Sequence, residues 1–180
     1  LIKGIQSNGV GACVKHFACN SKEDYRMVNS CYVDERALRE IYLTSFEIAV
    51  KDAKVSSVMT SYNKLNGFYT SENEHLLQDI LRKEWKFDGL VMTDWGGGNN
   101  RVKGVKASND LEMPSSYKET YYDLLKAYKA NKLSIEEIDS SVRHILNTVS
   151  RVSYDKKDEK INFEEKHEIA KKVSDQSIIL

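Results

Sequence analysis

Neither sign of charge is in excess in this chain. Lys plus Arg and Asp plus Glu each total 27, for a formal net charge of zero. That balance leaves no electrostatic reason to expect nucleic acid or an anionic membrane surface as a partner. Long apolar runs are missing too, and none approaches the roughly 20 residues that a bilayer-spanning helix needs, so the segment reads as soluble. Cysteine is scarce. Cys13, Cys19 and Cys31 are odd in number and lack CxxC spacing, which speaks against a disulfide framework or a zinc site and for reduced thiols in a cytoplasmic protein. No metal or other cofactor is expected. No GxGxxG follows a strand: "GGGNN" (96–100) has the glycines but neither the spacing nor a convincing following helix. No short-period repeat appears. An initial Met is absent and the last residues, "QSIIL", look like the start of an apolar strand, so both ends read as cut from a longer protein.

What the chain does have is enough residues, 180, for one sizeable core, and a clear alternation of strand and helix patterns. "GACVKHF" (11–17) is a short apolar run that ends in Lys15 and His16. Asp34 is a plausible N-cap for "ERALREIYLTSFEIAVKDA", which places Leu38, Ile41, Tyr42, Ser45 and Ile48 or Ala49 on one helical face. "VSSVMTSYN" (55–63) is a second strand and "LNGFYT" a turn after it. Ser71 with Glu74 forms a capping-box pattern before an apolar stripe of Leu76, Leu77, Ile80 and Leu81. The third strand is "GLVMT" (89–93), delivering Asp94 and Trp95 into three glycines. A fourth extended segment is predicted over 104–114, ending in Asp110, Glu112 and the only proline. A helix around 117–130 follows, then one capped by Ser134 and Glu137 that turns Ile138, Val142, Ile145, Leu146 and Val149 inward. "YDKKDEK" (154–160) reads as a solvated connector.

Strand and helix in alternation predict a parallel sheet built of βαβ units. Several strands end in polar or ionisable residues, which suits the active-site face of a (β/α)₈ barrel; a doubly wound sheet shares the pattern. The strand-tip residues are Lys15, His16, Met59, Tyr62, Asp94, Trp95 and Asp110, with Arg26 from the loop after the first strand. Two cations, an imidazole, a phenol, an indole and a carboxylate suit a polyhydroxylated ligand. The cations donate to hydroxyl oxygens, the carboxylate accepts from hydroxyls, and the indole offers a flat face to sugar C–H groups. Taken singly, Met59 and Trp95 suit packing, His16 a satisfied buried histidine, and Asp94 a cap.

In order along the chain, "KHFACNSKEDYR" (15–26), "VDERALREIYLTSFE" (33–47), "SVMTSYNKLNG" (57–67), "LVMTDWGG" (90–97) and "NDLEMP" (109–114) resemble the barrel domain of family 3 glycoside hydrolases of the β-glucosidase type. The resemblance implies an α/β fold: an incomplete (β/α)₈ TIM-like barrel over residues 1–153, a charged linker over 154–162, and the start of a second, α/β-sandwich domain over 163–180. It implies retaining hydrolysis of terminal β-D-glucosyl residues, with Asp94 as nucleophile. Lys15, His16 and Arg26 would hold the sugar hydroxyls, and Met59, Tyr62 and Trp95 would wall the subsite. β-Xylosidase activity and a non-catalytic sugar-binding barrel are the alternatives. The implied partners are a β-glucoside or small oligosaccharide and the second domain of the same chain, with a homodimer as a further arrangement. The loop "NSKEDYR" keeps the family's Asn20, Glu23 and Arg26 but departs at Lys22 and Tyr25. Retaining hydrolysis also needs a proton donor roughly 5–5.5 Å from the nucleophile. The resemblance places that acid beyond Leu180, with Glu112 and Asp110 as the acids nearest at hand in sequence. An Asp and an Arg that the family uses on the same sugar would lie before Leu1.

Overall fold

The computed structural model describes residues 1–116, 118–152 and 161–179. Its centre is a parallel three-stranded sheet of β1 (Cys13–Phe17), β3 (Ser57–Thr60) and β6 (Leu90–Met92), in the order β1-β3-β6. Val14 pairs with Val58 and Val58 with Val91, so the apolar run expected from each segment becomes one layer of the core. The second sheet is small: β2 (Ser30–Cys31) lies parallel to β4 (Lys64–Leu65), which forms a hairpin with β5 (Phe68–Tyr69). Asn66 and Gly67 both take positive φ at the hairpin tip, 51° and 90°, the geometry that a two-residue turn of this kind demands.

The fourth extended segment is the main departure from the sequence reading. Residues Arg101–Lys106 form a helix, α4, capped by Asn100, whose side chain accepts from Lys103 N. A short helix therefore does follow "GGGNN". What remains of the expected strand is a single parallel bridge between Met92 and Leu111, with Asp110 N and Leu111 N both donating to Val91 O. Local capping took the first half of the segment, and the sheet took only its end.

Helices cover the sheet. The short α1 (Ile2–Gln6) is tied down by Gln6 Oε1, which accepts from Ser56 N at 2.9 Å. The helix expected after Asp34 starts as predicted, with Ala37 N donating to Asp34 at 2.9 Å. It is not uniform, however: α2 (Glu35–Ala37) passes into a π-type turn at Leu38–Tyr42 and then into α3 (Thr44–Lys51). Leu43 N donates to Leu38 O, five residues back. The extra residue rotates the following face by about one residue's arc, ~100°. Leu43 and Val50 are buried as a result; of the face expected inward, Leu38 and Ala49 are buried and Tyr42 partly so, whereas Ile41 and Ser45 are exposed, and Ile48 yields its place to Ala49.

A second π-type helix, His75–Glu84, buries Leu76, Leu77, Ile80 and Leu81 as expected. Fully burying side chains of this size contributes roughly 1.5–3 kcal/mol each. Its start is not the Ser71 box: Asn73 Oδ1 accepts from Leu76 N at 3.0 Å, while Ser71 Oγ donates to Gly97 O at 3.0 Å. Phe17 joins these layers, packing its ring against Phe46 at 5.0 Å and Trp85 at 6.0 Å.

Beyond the sheet lie α5 (Lys118–Lys129) and α6 (Ile135–Arg151), the latter with the full Ser134–Glu137 capping box. Ile138 and Ile145 of α6 are partly buried, but Val142, Leu146 and Val149, expected inward, are 46%, 61% and 67% exposed. The helix α7 (Phe163–Ser177) is capped by Asn162 and has no buried residue. The connector over 154–160 lies outside the described residues. None of the described helices is long and apolar enough to cross a membrane.

Candidate active site

The C-terminal ends of β1, β3 and β6 are tied together before any functional side chain is placed. Ser61 N donates to Phe17 O at 2.8 Å, and Ser61 Oγ and Asn63 Nδ2 both donate to Ala18 O, at 2.9 and 3.2 Å. At the exit of β6, Thr93 N donates to Leu111 O and Met113 N donates to Thr93 Oγ1, each at 2.9 Å. Gly96 takes φ 77° and donates its N–H to Met113 O at 2.7 Å, a conformation open to glycine at little cost. Gly98 lets the Glu112 side chain approach: a Cβ there would stand 2.6 Å from Glu112 Oε1 and displace it. The turn after Trp95 is thus folded tightly back on the strand that carries Asp94.

This turn aims the Asp94 carboxylate. Oδ1 accepts from Trp95 N at 2.7 Å, and Oδ2 lies 3.1 Å from His16 Nε2 at the end of β1. The Asp94 side chain is 14% exposed and that of His16 35%, so His16 is a half-open partner of the acid rather than a buried histidine. Tyr62 follows β3. Its hydroxyl donates to Trp95 O at 2.8 Å and stands against the Asp94 carboxylate. Burial first, and then the bond and charge of Asp94, hold the Tyr62 phenol above its ordinary pKa, with Arg26 pulling in the opposite direction. The Arg26 guanidinium lies over the Tyr62 ring, 4.6 Å from its centroid, and pairs with Glu23 at 2.8 Å. Trp95 is 67% exposed, an indole face open to a ligand.

The structure therefore brings His16, Arg26, Tyr62 and Trp95 around Asp94. Met59 lies at the same level in the sheet, paired in register with Met92, and is partly buried. Lys15 stands one residue before His16 on β1. It is exposed, and among the described residues its ammonium has no hydrogen-bond or ion-pair partner. The basic group in contact with Asp94 is His16, not Lys15 or Arg26. Asp110 also leaves the set, because its carboxylate is fully buried between Arg82 and His144.

The sequence reading assigned no individual site role to three supporting residues. Thr93 and Gly96 set the turn, and Glu23 holds Arg26. Glu23 was marked in the sequence as a residue that the "NSKEDYR" loop keeps from the family pattern, and its spacing of three from Arg26 brings the side chains together within one turn.

The chain thus gathers a carboxylate, an imidazole, a phenol and an indole at the C-terminal ends of a parallel sheet, the side on which open α/β sheets bind ligands. A sequence model of the glycosyl hydrolase family 3 N terminal domain matches residues 1–148, and the chain belongs to that family. It is 46% identical over 180 residues to thermostable β-glucosidase B of Acetivibrio thermocellus, covering 99% of this chain and 24% of that protein. It is 50% identical to a β-glucosidase of Rhizobium radiobacter, over 84% of this chain and 18% of that protein. Among solved structures, β-glucosidase 3B of Thermotoga neapolitana in complex with α-D-glucose superposes with a TM-score of 0.81. Identity there is 50%, over 83% of this chain and 22% of that one. A family 3 β-glucosidase of Bifidobacterium adolescentis gives 0.83 at 37% identity, over 92% and 25%. This chain spans about a quarter or less of the length of these relatives.

Proposed function

We propose that the full-length protein is a retaining β-glucosidase and that Asp94 is its nucleophile. The observation that carries this reading is the posture of Asp94. It stands at the C-terminal end of a sheet strand, one oxygen held by Trp95 N and the other by His16, with Tyr62 against it. A carboxylate held on both oxygens by fixed donors is pre-aimed, and orientation of this kind is a large part of a catalytic barrier.

In the proposed reaction Asp94 attacks the anomeric carbon of a terminal β-D-glucosyl residue. The bond to the aglycone oxygen breaks as an acid protonates that oxygen, leaving a glycosyl ester on Asp94. Water, deprotonated by the same group, then cleaves the ester. His16, Arg26 and Lys15 serve the sugar hydroxyls, and Trp95, Tyr62 and Met59 wall the ring. The proton donor belongs to a part of the protein beyond Leu180. The sheet and helices are the later part of a (β/α)₈ barrel, and α7 leads toward a second α/β domain. The β-glucosidase names and the bound glucose of the relatives support the substrate class.

The test is covalent. A mechanism-based 2-fluoroglucoside incubated with the full-length protein should label Asp94 in a peptide map. Label on Glu112 would replace the nucleophile, and no label together with no turnover of aryl β-glucosides would refute the function.

A further inference from the structure

We propose that Glu23 is a positioning residue for the sugar-binding side of the Asp94 site, acting through Arg26; this deepens the function proposed above and rests on it. Both oxygens of the Glu23 carboxylate are engaged. Oε1 accepts from Asn20 Nδ2 at 2.9 Å, and Oε2 accepts from Arg26 Nη1 at 2.8 Å. Asn20 comes directly after the exit of β1, so the clamp starts at a point already locked to the sheet. The far side of the loop is fixed as well. Asn29 donates from its side chain to Lys22 O and Asp24 O, and Lys64 N of β4 donates to Asn29 O at 2.9 Å. The loop is therefore a frame, and Glu23 is the member that passes its position to the guanidinium.

From Arg26 the contact continues to the acid. The guanidinium lies over the Tyr62 ring at 4.6 Å, the Tyr62 hydroxyl donates to Trp95 O, and Trp95 N donates to Asp94. An arginine side chain that is 42% exposed would otherwise sample many rotamers. Held by Nη1 on one edge and by the phenol on one face, it keeps a single plane. Its Nε and Nη2 have no hydrogen-bond partner among the described residues, which leaves donors for a hydroxyl of the ligand. An ion pair as exposed as Glu23–Arg26, 70% and 42%, adds little to stability. Its consequence belongs in binding and rate, and that separates positioning from a merely structural role.

The experiment is a double-mutant cycle in the full-length protein with a 4-nitrophenyl β-glucoside. A charge-assisted hydrogen bond supports an expected loss of roughly 10–100-fold in kcat/KM for Glu23→Ala, with Tm essentially unchanged. Glu23→Gln, which keeps an acceptor but not the charge, should fall between. Arg26→Ala should lose more, and Glu23→Ala added to it should cost nothing further, because Glu23 acts only through Arg26. Wild-type rates in Glu23→Ala, or losses that add in the double variant, would overturn the assignment. Calorimetric titration with glucose separates this inference from the proposed reaction. Wild type that binds glucose without turnover, together with about 10-fold weaker binding by Glu23→Ala, would refute the reaction and sustain the role of Glu23. A wild type that neither binds nor turns over would end both.

Discussion

Asp94 and Asp110 stand sixteen positions apart, one just after β6 and the other just before the bridge residue Leu111 beside it, and the molecule uses them in opposite ways. Asp94 has one backbone donor, one half-exposed histidine and a phenol beside it. Asp110 is 0% exposed at its side chain; it accepts from Arg82 at 2.6 Å, Val91 N at 2.8 Å and His144 at 2.8 Å. These bonds join β6 to the helix His75–Glu84 and to α6. Arg82 itself also donates to Phe87 O, Gly89 O and Ser108 O, and burial drives its pKa down despite the pull of Asp110. An acid fully buried and held by three donors is architecture. Only an acid with a free approach can do chemistry. Both were expected at strand ends; their bonding partners are what separate them.

The contrast is broken most directly by replacing each acid. In the full-length protein Asp94→Asn should lower kcat by about 10⁴-fold or more while the melting temperature hardly moves, because a covalent step is lost rather than packing. Asp110→Ala should do the reverse. Leaving Arg82 charged, buried and unpaired, with Val91 N bare, should cost about 3–5 kcal/mol of stability, read as a lower urea midpoint. A folded Asp110→Ala protein with normal stability and a kcat as low as that of Asp94→Asn would invert the assignment.

A smaller effect tests whether Asp94 works with a partner outside these residues. Residues 1–180 assayed alone should hydrolyse 4-nitrophenyl β-glucoside about 10²–10⁴-fold more slowly than the full-length protein, the usual worth of general acid catalysis. A 2,4-dinitrophenyl leaving group needs little protonation and should narrow the gap. Equal rates with the 4-nitrophenyl substrate would place the proton donor inside the segment, with Glu112 as the first residue to mutate.

The smallest effect comes from a third aspartate, Asp88, whose side chain is 66% exposed and pairs with Arg151. That hydrogen bond holds the Asp88 carboxyl below its ordinary value of 3.8 in the folded protein. The pair's contribution is therefore fully present above that value, and it is lost as the pH falls through the folded pKa. At this exposure it amounts to about 1 kcal/mol or less. Arg151→Ala should lower stability slightly at pH 7, and the difference from wild type should vanish in strong acid. A difference that grows on acidification would contradict the sign.

Much of this was legible in residue order. The three sheet strands, the Asp34 cap, the Ser134–Glu137 box and the buried stripe Leu76, Leu77, Ile80 and Leu81 follow local rules of period and capping. His16, Arg26, Tyr62 and Trp95 come together at Asp94 because βα units repeat their geometry, carrying successive strand ends to one face. Where the sequence reading failed, a one-residue bulge in a helix or an unrecognised local cap intervened. The π-type turn at Leu38–Tyr42 shifted the inward face of α3, and the Asn100 cap claimed residues expected in a strand.

Sequence by itself determined the alternation of elements, the apolar layers of the sheet and which residue types stand at the strand ends, since each depends on neighbours a few positions away. Only the tertiary structure decided which acid stays open. That choice required Arg82 and His144, 28 and 34 residues from Asp110, to occupy one carboxylate. The other kept just His16 and the Trp95 N–H of its own turn, with the Tyr62 phenol beside it. It also placed Glu23 behind Arg26. Hydrogen-bond saturation is a property of packed neighbours, and sequence spacing does not carry it.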